Sequence, residues 1–167
     1  GPAGREFTVR TEDGASVRAR VAGIGFFEGG RVLGDDHRQA LVSEFRQDLV
    51  RYLYVRLAMT REPADGSLEV PVACDVLTGD GTLKTTVSGV ARARPDADSV
   101  TWWRGWGRED PGSWDPDTYR VVCRHGQQEI AGGTVTLAVS GGGISASSPL
   151  SSLYLDTPRL PPGLVPW

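Results

Sequence analysis

The sequence has few of the residues on which metal sites and disulfide frameworks depend. Its 167 residues include only two cysteines and two histidines. Two cysteines do not build a disulfide framework, and they cannot supply a structural zinc site by themselves. Neither an HExxH nor a CxxC motif occurs. The sequence therefore predicts a chain without a metal or another cofactor, whose fold depends on a hydrophobic core.

Long apolar runs and excess positive charge are also missing. No run of 18 apolar residues occurs, so no transmembrane helix is predicted, and the first residues lack the apolar core of a signal peptide. The formal net charge of -3 argues against binding to nucleic acid or to a membrane surface. The bias towards Arg, Ala, Gly, Asp and Val, with a single Lys, indicates a bacterial source, and we favour the cytoplasm over secretion.

Glycine and proline are frequent, with 22 and 11 copies. Four glycine-containing pairs separate segments of β-branched or alternating apolar residues, and such pairs predict hairpin turns because they tolerate positive φ. They are Asp13-Gly14, Asp65-Gly66, Asp80-Gly81 and His125-Gly126. Strands are predicted at residues 7–10, 17–27, 51–60, 67–77, 83–90, 100–103, 118–124 and 129–139. This series predicts an antiparallel all-β domain.

Two segments define the inside of this domain, and a third departs from the strand pattern. In residues 51–60 the apolar side chains alternate with a set that points outward. In residues 67–77 the inward set includes Cys74, and Pro71 points outward, at a position compatible with an edge or a bulge. Residues 35–50 have apolar residues near helical spacing, so they predict a short helical connection.

The two ends of the chain differ from the domain between them. Residues 1–4 resemble a flexible remnant of protease cleavage, residues 5–139 form the predicted sandwich, and residues 140–167 are a Gly/Ser linker followed by a Pro-rich tail. The tail has too many apolar residues for a solvated segment. We expect it to dock on its own domain, on a second copy or on a partner protein. The candidate docking residues are Leu153, Tyr154, Leu155, Leu160 and Trp167.

A hairpin pattern near the end of the domain resembles a known family. Trp114 is followed by Pro116, then by the run Tyr119 to Val121, a glycine turn at Gly126 and a closing strand. This pattern resembles the hairpin of bacterial immunoglobulin-like modules, although Asp117 stands where these modules have a glycine. The resemblance extends over about residues 16 to 138. It implies an immunoglobulin-like sandwich that serves as a non-catalytic accessory domain of a larger protein.

The resemblance also bears on the two cysteines. Cys74 and Cys123 are both predicted to point inward, and a bond between them across the two sheets would match the immunoglobulin pattern. The alternative is a pair of buried free thiols that act as small hydrophobic residues. We favour the free thiols, because the bacterial cytosol disfavours disulfides.

Two groups of side chains are candidates for binding, and no catalytic group is predicted. One group is the outward face of residues 51–60, where exposed aromatics can bind a partner. Its members are Tyr52, Tyr54 and Arg56. The other group is Trp103, Arg104 and Trp106, with Trp103 pointing outward and Trp106 in the loop after the strand. We expect contact with a protein or another domain of the parent chain; the alternative is carbohydrate binding by Trp103 and Trp106.

A structural interpretation of the tryptophans stays open beside the binding one. Trp102, Trp106 and Trp114 would then pack together at one end of the sandwich, beneath the loop. Coplanar, exposed rings of Trp103 and Trp106 would favour carbohydrate binding. Their burial would favour a protein contact elsewhere.

Overall fold

Nine β-strands account for most of the described chain, which in this computed structural model comprises residues 5–11, 13–33 and 41–139. The strands are β1 (Glu6–Arg10), β2 (Ser16–Gly29), β3 (Glu44–Arg46), β4 (Tyr52–Arg61), β5 (Leu68–Leu77), β6 (Leu83–Ala93), β7 (Ser99–Gly107), β8 (Asp117–His125) and β9 (Gln128–Ala138). Within these residues the helical structure is a single 3-10 turn, Gln47–Leu49. Every predicted strand is present, with bounds that differ by a few residues.

The strands form two sheets with an immunoglobulin-like order. The first sheet has the order β1-β2-β4-β7, and the second has the order β3-β9-β8-β5-β6. Immunoglobulin domains place strands A, B and E in one sheet and C, F and G in the other. Here β2-β4-β7 and β5-β8-β9 repeat these two orders. The predicted all-β, Ig-like sandwich is therefore confirmed, although β3 and β9 pair in parallel.

The core lies between the two sheets and follows the predicted alternation. The buried members from β4 are Leu53, Val55, Leu57 and Met59, and those from β5 are Leu68, Val70, Val72, Cys74 and Val76. Burying each large aliphatic side chain stabilises the fold by about 2 kcal/mol. These two strands, one from each sheet, therefore account for much of the hydrophobic contact that holds the sandwich together.

The helical connection predicted for residues 35–50 is wrong over the part that the structure describes. Glu44–Arg46 is a strand, because the carbonyl of Ser43 accepts a hydrogen bond from Thr136 and the amide of Val42 donates to Phe26. Such pairing satisfies backbone groups that the ends of a short helix would leave unpaired. Residues 34–40, which include the start of this predicted connection, lie outside the described residues. The predicted remnant (1–4) and tail (140–167) do so too.

Three of the four turn pairs join neighbouring strands of one sheet, as predicted. Their glycines, Gly14, Gly81 and Gly126, have positive φ values of 89°, 89° and 61°. Asp65-Gly66 instead connects β4 to β5, which lie in different sheets. The hairpin predicted there is wrong, because the turn residues serve a crossing between the two sheets.

Pro71 lies in an interior strand rather than at a sheet edge. The register between β5 and β8 begins only at Ala73, so Pro71 has no strand beside it on that side. Its missing N–H therefore removes no bond between β5 and β8. The carbonyl oxygen of Pro71 lies 2.8 Å from Nδ1 of His125, which ties the end of β8 to this part of β5.

Cys74 and Cys123 are joined in a disulfide that lies within the second sheet. The two residues are directly opposed on β5 and β8, and both are fully buried. The pairing of Cys74 with Cys123 that was given as a possibility is therefore confirmed, whereas its expected position between the two sheets and the favoured free thiols are both wrong. The immunoglobulin bond joins strands B and F, whereas Cys74 lies on the strand that corresponds to C, next to F. The bond staples two central strands of one sheet.

Reduction of this disulfide is expected to lower the free energy of unfolding by about 4 kcal/mol, because the bond closes a loop with a sequence separation of 49 residues in the unfolded chain. Urea unfolding of the oxidised and the reduced protein measures this difference. The double variant C74A/C123A should be no more stable than the reduced protein, since it also loses buried atoms. Equal midpoints for the oxidised and reduced forms would contradict the expectation.

Arg61 is a buried charged side chain at the end of β4, with 7% of its surface exposed. Its guanidinium donates to four backbone carbonyls, those of Gly66, Arg94, Pro95 and Ala97, over 2.6–3.1 Å. These carbonyls belong to the β4–β5 and β6–β7 connections. A planar group with five N–H donors can bond to several carbonyls at once. Arg61 therefore links the β4–β5 connection to the β6–β7 connection at this end of the sandwich.

Replacing Arg61 by methionine is expected to destabilise the fold by about 3 kcal/mol, because it leaves several carbonyls without their charged donor. Arg92→Met is the matched control. Arg92 lies on β6 and its exposed pair with Glu69 is worth less than about 1 kcal/mol. Urea unfolding of both variants compares them, and equal losses would show that the bonds of Arg61 contribute no more than a surface pair.

Candidate functional site

The outer face of the first sheet, predicted to expose Tyr52, Tyr54 and Arg56, is partly covered by the chain itself. Only 7% of the Tyr54 surface is exposed. Its ring stacks on Phe27, with centroids 4.9 Å apart and planes 3° from parallel. Its hydroxyl donates to the carbonyl of Gly30 at 2.6 Å. Burial is the main cause that raises the pKa of Tyr54. The expected exposure of Tyr54 is therefore wrong, and this side chain serves the fold.

Glycines on β2 make room for the covering segment. A Cβ at Gly25 would collide with Leu41, and one at Gly29 would meet Leu33 at 2.7 Å. Leu33 and Leu41 thus lie against the outer face of the first sheet. Tyr52 and Arg56 are half-buried at the same face. The alternation predicted which way these side chains point, but it gave no sign that the connection after β2 folds back over them.

The tryptophans of the second candidate group lie on opposite faces of β7. Trp102, Arg104 and Trp106 alternate along the inner face, where Trp102 is buried and 40% of Trp106 is exposed. Trp103 lies on the outer face, opposite Arg56 in the register. Trp106 belongs to the strand, so its placement in a loop is wrong. Because successive strand residues point to opposite faces, Trp103 and Trp106 do not form one coplanar platform.

Trp106 packs against a pair of buried aromatic rings. Its ring contacts Trp114 edge to face at 5.1 Å, and Trp114 contacts Tyr119 in the same way, also at 5.1 Å. The indole N–H of Trp114 donates to the carbonyl of Trp106 at 3.1 Å. The hydroxyl of Tyr119 donates to the backbone carbonyl of Asp115 at 2.6 Å. This hydrogen bond corresponds to the tyrosine corner of immunoglobulin folds. The predicted packing at one end of the sandwich is thus observed for Trp106 and Trp114, while Trp102 is buried four residues earlier on β7.

Two cations lie against these rings. The Nζ of Lys84 is 5.3 Å from the centroid of Trp106 and 5.2 Å from that of Trp114. The guanidinium of Arg104 is 6.0 Å from the Trp102 ring and crosses over Gly89 of β6. Such contacts stabilise by about 0.5–1 kcal/mol each at exposed sites. They also hold the two cations in place where the edges of the two sheets meet.

Lys84 was missed by the sequence-based search. It lies where the register of β5 and β6 shifts, so it is the extra residue of a β-bulge and turns towards Trp106. As the only lysine in the chain it stood out in composition, yet nothing in the local pattern links it to residues more than 20 positions away.

All the large apolar side chains that the described residues expose lie at one end of the sandwich. They are Val32, Leu49, Leu83, Trp106 and Val139, and we call this set the apolar end. Each lies at or beside a strand terminus on this end: after β2, before β4, at the start of β6, near the end of β7 and after β9. The turn at Gly66 and the β8–β9 turn lie at the opposite end.

Hydrogen bonds between connections hold the apolar end in shape. The amide of Arg31 donates to the carboxylate of Glu109 at 2.5 Å. The side-chain amide of Gln47 donates to the carbonyls of Gly112 and Trp114 at 3.0 and 2.6 Å. The connections after β2, before β4 and after β7 are therefore fixed to one another, so this end offers a preformed surface.

The described residues contain neither a metal-binding cluster nor a membrane-spanning helix. No group of three His, Cys, Asp or Glu in this part of the chain has the placement to hold a metal ion. No helix among these residues is long and apolar enough to cross a membrane. His125, from the predicted His125-Gly126 turn, is half-buried at the end of β8, with its ring 5.3 Å from Phe7.

No protein-family model matches this chain, and no curated protein matches it. Among solved structures it is similar to an immunoglobulin-like protein from Pseudomonas aeruginosa, with 17% identity, a TM-score of 0.41 and coverage of 71% of this chain and 95% of that one. Bacteroides uniformis β-glucuronidase 2 has 14% identity, a TM-score of 0.42 and coverage of 71% and 13%. Bifidobacterium dentium β-glucuronidase has 15% identity and a TM-score of 0.37, and the match covers 72% of this chain and 17% of that one.

The chain spans less than a fifth of the length of either glucuronidase. TM-scores at this level carry no argument about function. The assignment to an immunoglobulin-like sandwich therefore depends on the strand order and on the tyrosine corner of the chain itself.

Tyr119→Phe is expected to lower the free energy of unfolding by about 1 kcal/mol at neutral pH, because it removes the hydrogen bond to Asp115. Burial, with Asp115 and Asp117 nearby, raises the pKa of Tyr119 to about 12. A raised folded-state pKa means that this stability is present below pH 10 and is lost as the pH rises towards 12. Unfolding measured between pH 8 and 12 should therefore show that the difference in free energy of unfolding between the wild type and Tyr119→Phe becomes smaller as the pH rises. A difference that stays constant over this range would contradict the expectation.

Proposed function

We propose that this chain is a non-catalytic interaction domain that binds a protein, or another domain of its parent protein, through the apolar end. The observation that carries the proposal is that the five large apolar side chains exposed among the described residues all lie at that end. Single exposed apolar residues need no explanation, whereas their concentration on one part of a surface is typical of a binding site.

Trp106 is the largest side chain of the proposed surface. It is a large ring on a rigid strand, supported by Trp114 and flanked by Lys84 and Arg104. Tryptophan and arginine are the residue types most enriched among the residues that contribute most to protein–protein binding. Because the packed rings hold these side chains in place, binding costs little side-chain entropy.

A protein partner is favoured over a carbohydrate by the surroundings of Trp106. The Lys84 ammonium lies over the Trp106 ring and Trp114 abuts it, so the ring is not a flat open platform for a sugar. Trp103, the other ring in the carbohydrate hypothesis, is on the opposite face of β7. Carbohydrate binding therefore remains the second candidate, with Trp106 as the ring it would use.

The disulfide supports a compartment that differs from the sequence-based preference. Buried disulfides form and persist in oxidising surroundings and are rare in the cytosol. The bond between Cys74 and Cys123 thus favours the periplasm or the extracellular space for this domain.

The surface is tested by Trp106→Ala in a capture experiment with the proteins of the source organism. We expect a protein retained by the wild-type domain to bind the variant about thirtyfold more weakly, because loss of a tryptophan that contributes strongly to an interface costs about 2 kcal/mol. Quantitative mass spectrometry of the retained proteins, followed by a titration with the purified partner, measures this loss. Thermal unfolding of the variant shows whether the fold is intact.

Arg92→Ala is the control, because Arg92 is an exposed residue of β6 towards the opposite end. It should leave binding unchanged. A panel of immobilised polysaccharides, run with the same proteins, addresses the second candidate. Equal retention of a partner by the wild type and by Trp106→Ala would refute the proposed surface, and Trp106-dependent retention on a polysaccharide would replace the partner class.

A further inference from the structure

The chain leaves the sandwich at the apolar end. β9 runs towards this end, where Ala138 pairs with Arg46 of β3, and the next residue, Val139, is itself one of the five exposed apolar side chains. Val139, the last described residue, therefore lies on the same end as Leu49 and Trp106. The chain therefore continues beyond Val139 from a point next to an exposed apolar surface.

The composition of residues 140–167 suits such a surface. These 28 residues contain two charged side chains of opposite sign, Asp156 and Arg159. They begin with a Ser/Gly run that has the composition of a flexible linker. The large apolar side chains that follow are Leu150, Leu153, Tyr154, Leu155, Leu160, Leu164, Val165 and Trp167.

The length of the segment places the whole apolar end within its reach. Twenty-eight residues span up to about 90 Å when extended, several times the width of a four- or five-stranded sheet at ~4.8 Å per strand. A short tether also gives a docking segment an effective concentration in the millimolar range. Contact within one chain is thereby favoured over contact with a second copy.

We propose that residues 150–167 fold back onto the apolar end of their own chain and cover Trp106. Leu153, Leu155 and Trp167 supply the apolar contacts. The near-neutral charge of the segment lets it lie over Lys84 and Arg104 without repulsion between like charges. The tail then acts as an internal competitor at the surface, and a partner must displace it to bind.

The test uses the full chain and a variant that makes the tail polar, L153D/L155D. Hydroxyl-radical footprinting measures the oxidation rate of Trp106 and Leu83 in both proteins. We expect both rates to rise about threefold or more in the variant, because the covering side chains no longer dock. The oxidation rate of Pro63, at the opposite end, should not change.

The control variant S151D/S152D adds the same two charges to the same segment without removing an apolar side chain. Its Trp106 rate should stay close to that of the wild type. Equal rates in the wild type and L153D/L155D would overturn the proposal. Protection that grows with protein concentration, together with a doubled mass in sedimentation, would overturn it in favour of a second copy as the occupant.

This inference stands apart from the proposed function, because it requires no partner. If the rates are equal but partner capture still depends on Trp106, the tail contact fails alone. If Trp106 is protected by the tail in the wild type, but L153D/L155D captures no partner, the tail contact stands and the proposed interaction surface fails. Stronger partner binding by L153D/L155D than by the wild type is expected where both hold.

Discussion

The hydrogen bond from the Trp114 indole to the carbonyl of Trp106 joins the two parts of the chain that shape the apolar end. It ties the connection after β7 to the strand itself, and it sets the Trp114 ring against both Trp106 and Tyr119. Lys84 then rests on a surface made by two indoles rather than one. This bond and the pairing of Trp106 with Leu53 of β4 together hold Trp106 at the surface on which the cation rests.

The same cluster connects the fold to the proposed function. Tyr119 closes the tyrosine corner at the start of β8, and this corner is a feature of the immunoglobulin-like fold rather than of one binding activity. Trp114 packs on it, and Trp106 packs on Trp114. An element that stabilises the sandwich thus supports an exposed ring at its end, which is how rigid scaffolds commonly present binding residues.

Alternation of apolar residues predicted the strands and the inward side of β4 and β5, because side-chain direction in a strand has a period of two residues. Local pattern failed where a distant element decided the outcome. Residues 44–46 became a strand since β9 offered backbone partners, and Tyr54 became buried since the connection after β2 folded over it. The position of Lys84 depends on a register shift between β5 and β6, which no local pattern specifies.

The cysteines show a different kind of limit. Both were predicted to be buried, and both are, but the resemblance implied a bond between the sheets, whereas they lie on neighbouring strands of one sheet. Sequence spacing cannot distinguish these pairings, because strand order decides which buried positions are opposed. The bond joins β5 to β8, and the first residues of β8 lie beside the Trp114–Tyr119 cluster, so the disulfide cross-links the strand on which this cluster packs. In the proposed contact with residues 150–167, a rigid base of this kind means that only the covering segment has to move.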